Sequence, residues 1–138
     1  MPVCCAAALE VQKIVEEDNL LENVRQMGFL IEATLKAKLS DHPNVGDIRG
    51  RGLFWGIELV ANKTTKAPLP LDEHTSMAIC QLGLSEPYSI NIYPAGGTAE
   101  VGVHGDALII APPFNITPDD VEIITSKVAQ LVTDYFAS

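Results

Sequence analysis

Positive charge is scarce in this sequence. Nine Lys and Arg stand against 18 Asp and Glu among 138 residues, a formal net charge of −9. With no Lys/Arg cluster to neutralise phosphates, nucleic acid is excluded as a partner, and the acidity reads as solubility. Cysteine is scarce too. Cys4, Cys5 and Cys80 are an odd set whose adjacent members are poor partners for each other. No CxxC or Cys/His metal spacing exists, so no metal site is expected and free thiols in a reducing compartment are the default. Long apolar runs are missing as well. Val3 to Leu9 lacks a basic leader and soon meets Glu10, Lys13, Glu16 and Glu17. It reads neither as a signal peptide nor as a membrane span, and the chain is expected to be intracellular, in the cytoplasm, with no membrane partner. Internal repeats and low-complexity segments are absent.

What is present describes a globular chain. Hydrophobic residues make up 47% and charged ones 20%, and the length suits one domain, residues 1–138, with a real core. The organising stretch is Val45–Val60, VGDIRGRGLFWGIELV. Val45 to Arg49 alternates as a strand. Leu53 to Val60 is a nearly continuous apolar run interrupted by Gly56 and Glu58. Gly50 and Gly52 bracket Arg51 at the corner, where a positive φ or a close backbone approach is expected. An apolar run of this kind predicts a strand covered on both faces, at the centre of the sheet.

The remaining segments follow in order. Pro2 to Glu17 predicts a helix with an alanine-smooth face and an apolar stripe that includes Leu9, Val11, Ile14 and Val15. Asn19 to Glu22 fits a capping box for a second helix, in which Leu20, Val24, Met27, Ile31 and Leu35 recur through about Leu39. Ala61 to Pro70 reads as a surface connection. Asp72 to Leu84 predicts a short helix with Met77, Ala78 and Leu82 inward. Ser89 to Tyr93 reads as a short strand, Pro94 to Thr98 as a flexible loop, and Ala107 to Ala111 as another strand halted by Pro112 and Pro113. Thr117-Pro-Asp-Asp120 opens the last helix, with Ile116 and Val121 as its hydrophobic staple and Val121, Ile124, Val128, Leu131, Val132 and Tyr135 as its buried stripe. The sum is an α+β fold: a small, mostly antiparallel sheet packed with helices.

The search for chemistry finds no self-contained active site. Asp47 and Glu58 are the carboxylates nearest the glycine corner, where pairing with Arg or solvation outweighs acid–base work. His42 and His74 lie in loop-like or helix-start settings. His104, in Gly102-Val-His-Gly-Asp106, reads first as a turn histidine. Gly96-Gly97-Thr98 offers backbone N–H groups to a phosphate, but lacks both the Gly-Lys-Ser/Thr of a Walker loop and the dinucleotide GxGxxG. No GxSxG nucleophile setting occurs.

Read together, four motifs change that reading. PVCCAAALEVQKIVEEDNLLENVRQMG, HPNVGDIRGRGLFWGIELV, NIYPAGGT and GDALIIAPPFNITPDDVE, in this order, resemble the C-terminal part of class III aminotransferases. These are pyridoxal-phosphate enzymes of fold type I. The resemblance runs nearly end to end and covers only the C-terminal portion of the usual subunit. It implies a connector helix over residues 2–17 leaving a large cofactor-binding domain, then the small domain over 18–138. It also implies partners: that large domain or a homologous subunit, commonly in a homodimer.

The resemblance also says what is missing. The family's Schiff-base lysine, the acidic partner of the pyridinium nitrogen and the ring stacked on the cofactor all lie upstream, and none of Lys13, Lys36, Lys38, Lys63, Lys66 and Lys127 matches that lysine's motif. A threonine that reaches the partner subunit's cofactor phosphate precedes the helix motif in the family, and Met1 stands where a histidine is usual. Pyridoxal phosphate is therefore expected in the complete enzyme and not on this chain alone. No catalytic or cofactor-binding residue is assigned, and the chain alone is expected to be inactive. In some branches an arginine just before the proline motif grips the substrate carboxylate; the position here is Ile109. In others an arginine occupies the Gly-Val-Arg-Gly-Asp loop; the position here is His104, the one candidate for contact with substrate, beside an apparent one-residue insertion at Val101. Arg49, with Gly50 and Gly52, is implied to be structural, with Arg49 holding the corner and neighbouring carbonyls. The alternatives are a non-catalytic protein that kept this fold for binding or dimerisation, and an aminomutase or decarboxylase of the same family.

Overall fold

The first helix stands out because it buries nothing. α1 (Pro2–Glu17) has no buried residue, and Val3, Leu9, Val11 and Ile14 are all exposed. The structure, a computed structural model, describes residues 2–99 and 104–137. The readings placed on Met1 and Val101 lie outside them. Asp18 and Asn19 join α1 to α2 (Leu20–Leu39). Asn19 adopts a left-handed conformation (φ 50°) and its side chain makes no capping bond, so the expected capping box does not form. The sharp turn between two helices joined by two residues outweighs the cap, and Asn tolerates that conformation better than most side chains.

Four strands form one antiparallel sheet. β1 (Val45–Arg51), β2 (Phe54–Leu59), β3 (Tyr93–Ala99) and β4 (His104–Ile110) lie in the order β1-β2-β4-β3. Only the second half of the organising stretch is thus central; β1 is an edge. Burial along β2 alternates, with Trp55, Ile57 and Leu59 buried while Phe54, Gly56 and Glu58 are not. One face of that strand is covered, not both. The reason is the layer count: α2, α3 (Thr75–Gly83) and α4 (Pro118–Ala137) join the buried strand residues in a single core that includes Ile31, Leu35, Ile57, Ile79, Leu108 and Val128. A two-layer α/β sandwich leaves the other sheet face without helices.

Three local expectations are corrected. Pro94–Thr98 is not a loop but most of β3, and Ser89–Ile92 precedes the strand. As an edge strand, β3 tolerates a proline because no second neighbour needs its N–H. His104 accordingly sits in no loop; it opens β4 and pairs with Ala99 across an irregular register. In α3 the buried residues are Thr75, Ser76, Ile79, Cys80 and Gly83, while Met77 and Leu82 point outward. Gly83 sets that phase, since a Cβ there would lie 2.9 Å from Leu131 Cδ2 and 3.1 Å from the Ile90 carbonyl oxygen. α4 starts as read. Asp120 N–H donates to Thr117 Oγ1 (3.2 Å) and Thr117 N–H donates to Asp120 Oδ2 (3.0 Å), a reciprocal box with Asp in place of Glu.

Candidate functional site: an uncovered sheet face and an adjoining apolar groove

The uncovered sheet face presents two cross-strand rows. Arg49, Gly56, Ile109 and Tyr93 lie opposite one another from β1 to β3, and Asp47, Glu58, Ala107 and Ala95 form the row beside them. Arg49 is the cation of this face. It donates to Asp47 Oδ2 (3.0 Å) and lies 3.8 Å from Glu58 Oε2, so it engages carboxylates rather than the expected carbonyls. The same bond, outweighing partial desolvation, holds the Asp47 carboxyl below its usual range. Both carboxylates nearest the corner are thus engaged as ion-pair partners. Ile109 stands between Gly56 and Tyr93 in the middle of the face, with no free cation beside it among the described residues.

At the turn end of the hairpin the face runs into a groove. The β1–β2 turn is Gly52-Leu53, with Gly52 at φ +56°, the glycine-first geometry of a two-residue hairpin. Gly50 lies inside β1 rather than bracketing the turn. A Cβ there would meet Trp55 Cδ2 at 2.6 Å, and the Trp55 indole N–H closes the corner by donating to the Gly52 carbonyl (2.7 Å). Gly28 of α2 packs on the same peptide, where a Cβ would fall 2.4 Å from the Gly52 oxygen. Around this glycine contact opens a cavity of about 820 Å³, with Val24, Phe29, Phe54 and Phe114 among its walls and Arg25 and Arg51 at its edge. Three of the chain's four phenylalanines meet here, and all three are exposed. Arg25 pairs with Glu22 (3.1 Å); Arg51 has no ion pair among the described residues.

The motif around His104 also has a structural member that went unread. Asp106, 6% exposed, accepts the Ser76 backbone N–H (2.9 Å) and so caps the start of α3 from a neighbouring strand. Tyr88 donates to Asp134 (2.7 Å) and ties the segment before β3 to α4. His42 and His74 do not join either surface. His42 Nδ1 accepts Asn44 N–H (3.1 Å) beside the end of α2, and His74 precedes α3.

The sequence profile described as aminotransferase class-III matches residues 1–132. The chain belongs to this family. An aminotransferase of Gibberella zeae is 47% identical over 131 residues, covering 95% of this chain and 25% of that protein. The ethanolamine-phosphate phospho-lyase homolog 1 of Caenorhabditis elegans is 36% identical over 132 residues, covering 96% and 26%. In structure, the PMP-bound form of an aminotransferase from Vibrio fluvialis superposes with a TM-score of 0.83 at 27% identity, covering 99% of this chain and 28% of that one. The chain thus spans about a quarter of the length of the relatives it matches.

Family membership sets a chemical test. Pyridoxal phosphate, the cofactor the class III family implies, needs a lysine poised for Schiff-base formation, an acid at the ring nitrogen and a phosphate cradle. The residues present do not fit it by themselves. Lys13, Lys36 and Lys38 are paired with Glu10, Glu32 and Glu122. Lys63 donates to the carbonyls of Ser40 and His42, and Lys66 to that of Gly46. Lys127 belongs to α4, in the helix layer behind the sheet. The glycines read as a possible cradle are in β3, where Gly96 is paired with Asp106. No group of three or more His, Cys, Asp or Glu suited to a metal occurs among the described residues, and no helix among them is long and apolar enough to cross a membrane.

Proposed function

We propose that this chain is the small-domain portion of a class III aminotransferase, with residues 2–17 as the connector and residues 18–138 as the domain that closes over a site carried elsewhere. The observation behind the reading is the pairing of a match over residues 1–132 with a set of lysines that are ion-paired, bound to carbonyls or set behind the sheet. The complete enzyme would bind pyridoxal phosphate and move an amino group between an amine or amino acid and a keto acid or aldehyde. Its partner would be the lysine-bearing large domain, in the same polypeptide or another subunit. The uncovered sheet face is the surface this chain would turn toward that domain.

The same face bears on substrate class. The position from which some branches grip a carboxylate is Ile109, flanked by Gly56 and Tyr93, and the nearby Arg49 is already held by Asp47 and Glu58. An apolar group suits that position better than a carboxylate does. His104, at the start of β4, is the remaining candidate for a polar substrate contact.

The test uses the purified chain with excess pyridoxal phosphate. No Schiff-base absorbance and no stoichiometric product after borohydride reduction are expected. A stoichiometric adduct at a single lysine would overturn the reading.

A further inference from the structure

Of the nine cations, Arg51, Lys63, Lys66 and Lys127 form no ion pair among the described residues. Lys63 and Lys66 meet at one place. The connection after β2 doubles back on itself, with Ala61 N–H donating to the Ala67 carbonyl (2.8 Å) and Asn62 pairing with Ala67. It lies as a strap against the end of α2 and the start of β1. Lys63 donates to the Ser40 and His42 carbonyls, and Lys66, in a left-handed conformation (φ 57°), donates to the Gly46 carbonyl. Between the strap, the helix end and the strand edge lies a cavity of about 290 Å³, at the far end of the β1–β2 hairpin from the phenylalanine groove. We propose that this cavity binds a compact dianion of the phosphate type, as inorganic phosphate or as the head of a small phosphate monoester, held by Lys63 and by the field of Lys66.

The charge balance carries the assignment. Backbone carbonyls fix where the two ammonium groups sit without cancelling their charge. Each ammonium has three protons to donate, of which Lys63 commits two and Lys66 one to carbonyls. The negative end of α2 offsets about half an elementary charge. The other charged residues lining the cavity are already answered. Lys36 pairs with Glu32 (2.6 Å), and Asp47 accepts from Arg49 (3.0 Å) on one oxygen and from the Ile48 N–H (2.8 Å) on the other. The cavity is therefore net positive in a chain of net charge −9. The overall acidity turns away an extended polyanion, whereas the local excess attracts a small one. Two separate point charges suit the divergent oxygens of a phosphate, where a carboxylate is best met by a planar arginine fork. Buried Val45 and Ile48 supply apolar wall that strengthens each charge contact. The volume stands at the small end of ligand pockets, which suits a phosphate with a short carbon chain.

The experiment needs neither cofactor nor a second polypeptide, so its outcome is separate from that of the aminotransferase reading. Inorganic phosphate is titrated into the isotope-labelled chain at constant ionic strength and about pH 8, where it is a dianion. Backbone amide shifts are followed, with chloride as the control anion. Saturable shifts clustered at residues 40–47 and 62–67 are expected with phosphate and not with chloride. A parallel titration with glycerol phosphate names the source: tighter binding than inorganic phosphate marks a monoester site, and weaker binding marks a site for the free ion. Lys63→Gln should weaken binding about tenfold. Ser40→Asp leaves the carbonyl that pins Lys63 in place and puts a carboxylate on the cavity wall, so it should abolish binding in a chain that still folds. Lys127→Gln, on α4, removes a cation outside the cavity and should bind as the parent does. Shifts that never saturate, or that chloride reproduces, overturn the proposal. Binding that survives both Lys63→Gln and Ser40→Asp, or that falls equally with Lys127→Gln, overturns it as well.

Discussion

Removing the Asp106 carboxylate is expected to loosen one corner of the fold by a predictable amount. Asp106 is 6% exposed and accepts the N–H of Ser76, itself 4% exposed, at 2.9 Å. Asp106→Ala strands that buried donor and removes a negative charge from the positive end of α3. A lost helix cap costs about 1 kcal/mol, and a buried hydrogen bond to a charged group about 1.5–3 kcal/mol, two overlapping measures of one interaction. The expected loss is therefore about 2 kcal/mol, or about 7 °C in Tm for a chain of this size. Asp106→Asn keeps an acceptor and loses only the charge, so it should cost about 1 kcal/mol or less. Urea unfolding followed by Trp55 fluorescence measures both, and amide exchange should show the earliest opening in α3. If the alanine variant stays within about 0.5 kcal/mol of the parent, or the asparagine variant is as damaged as the alanine one, the capping account fails.

Other consequences are simpler to state. His42 is held below its usual pKa by burial and then by the nearby Lys63, and its Nδ1 must stay unprotonated to accept Asn44 N–H. The unfolded chain therefore takes up that proton first: stability is complete above about pH 6.5 and falls as the pH drops below it, and His42→Gln should flatten the decline in denaturation midpoints. Gly28→Ala gains about 1 kcal/mol of helix propensity but drives a Cβ to 2.4 Å from the Gly52 oxygen. Overpacking of about 1–3 kcal/mol should win, so a stabilised variant would contradict the close contact drawn between α2 and the turn. Thr117→Ala should cost about 1 kcal/mol through the α4 cap while Thr117→Ser costs little, both read from calorimetric midpoints.

The parts of the fold legible in the sequence were those with strong local signals. Pro2–Glu17, the period of Leu20–Leu39 and the Thr117-Pro-Asp-Asp120 start all match helices or caps in the structure. The misread parts depended on neighbours. Pro94–Thr98 looks like a loop by composition, yet backbone pairing with β4 makes it an edge strand. The phase of α3 follows from Gly83 meeting Leu131 and Ile90, which no helical stripe of Met77 and Leu82 reveals. The nearly continuous apolar run 53–60 predicts cover on both faces, whereas in the structure Phe54 is exposed and lines the groove. That groove joins residues 24–29, 50–55 and 111–114, so no single segment announces it. The family motifs fared better, because they record the whole fold rather than one segment.

The central claim is that this chain supplies the small domain to a cofactor site it does not contain. Replacing the matching 131 residues of the Gibberella zeae aminotransferase with this chain tests it most directly. The chimera is expected to fold, to take up pyridoxal phosphate at a lysine outside the grafted segment, and to transfer an amino group. A folded chimera that binds the cofactor only on lysines of the grafted segment, or binds it upstream yet transfers no amino group while the unaltered relative does, would contradict the claim.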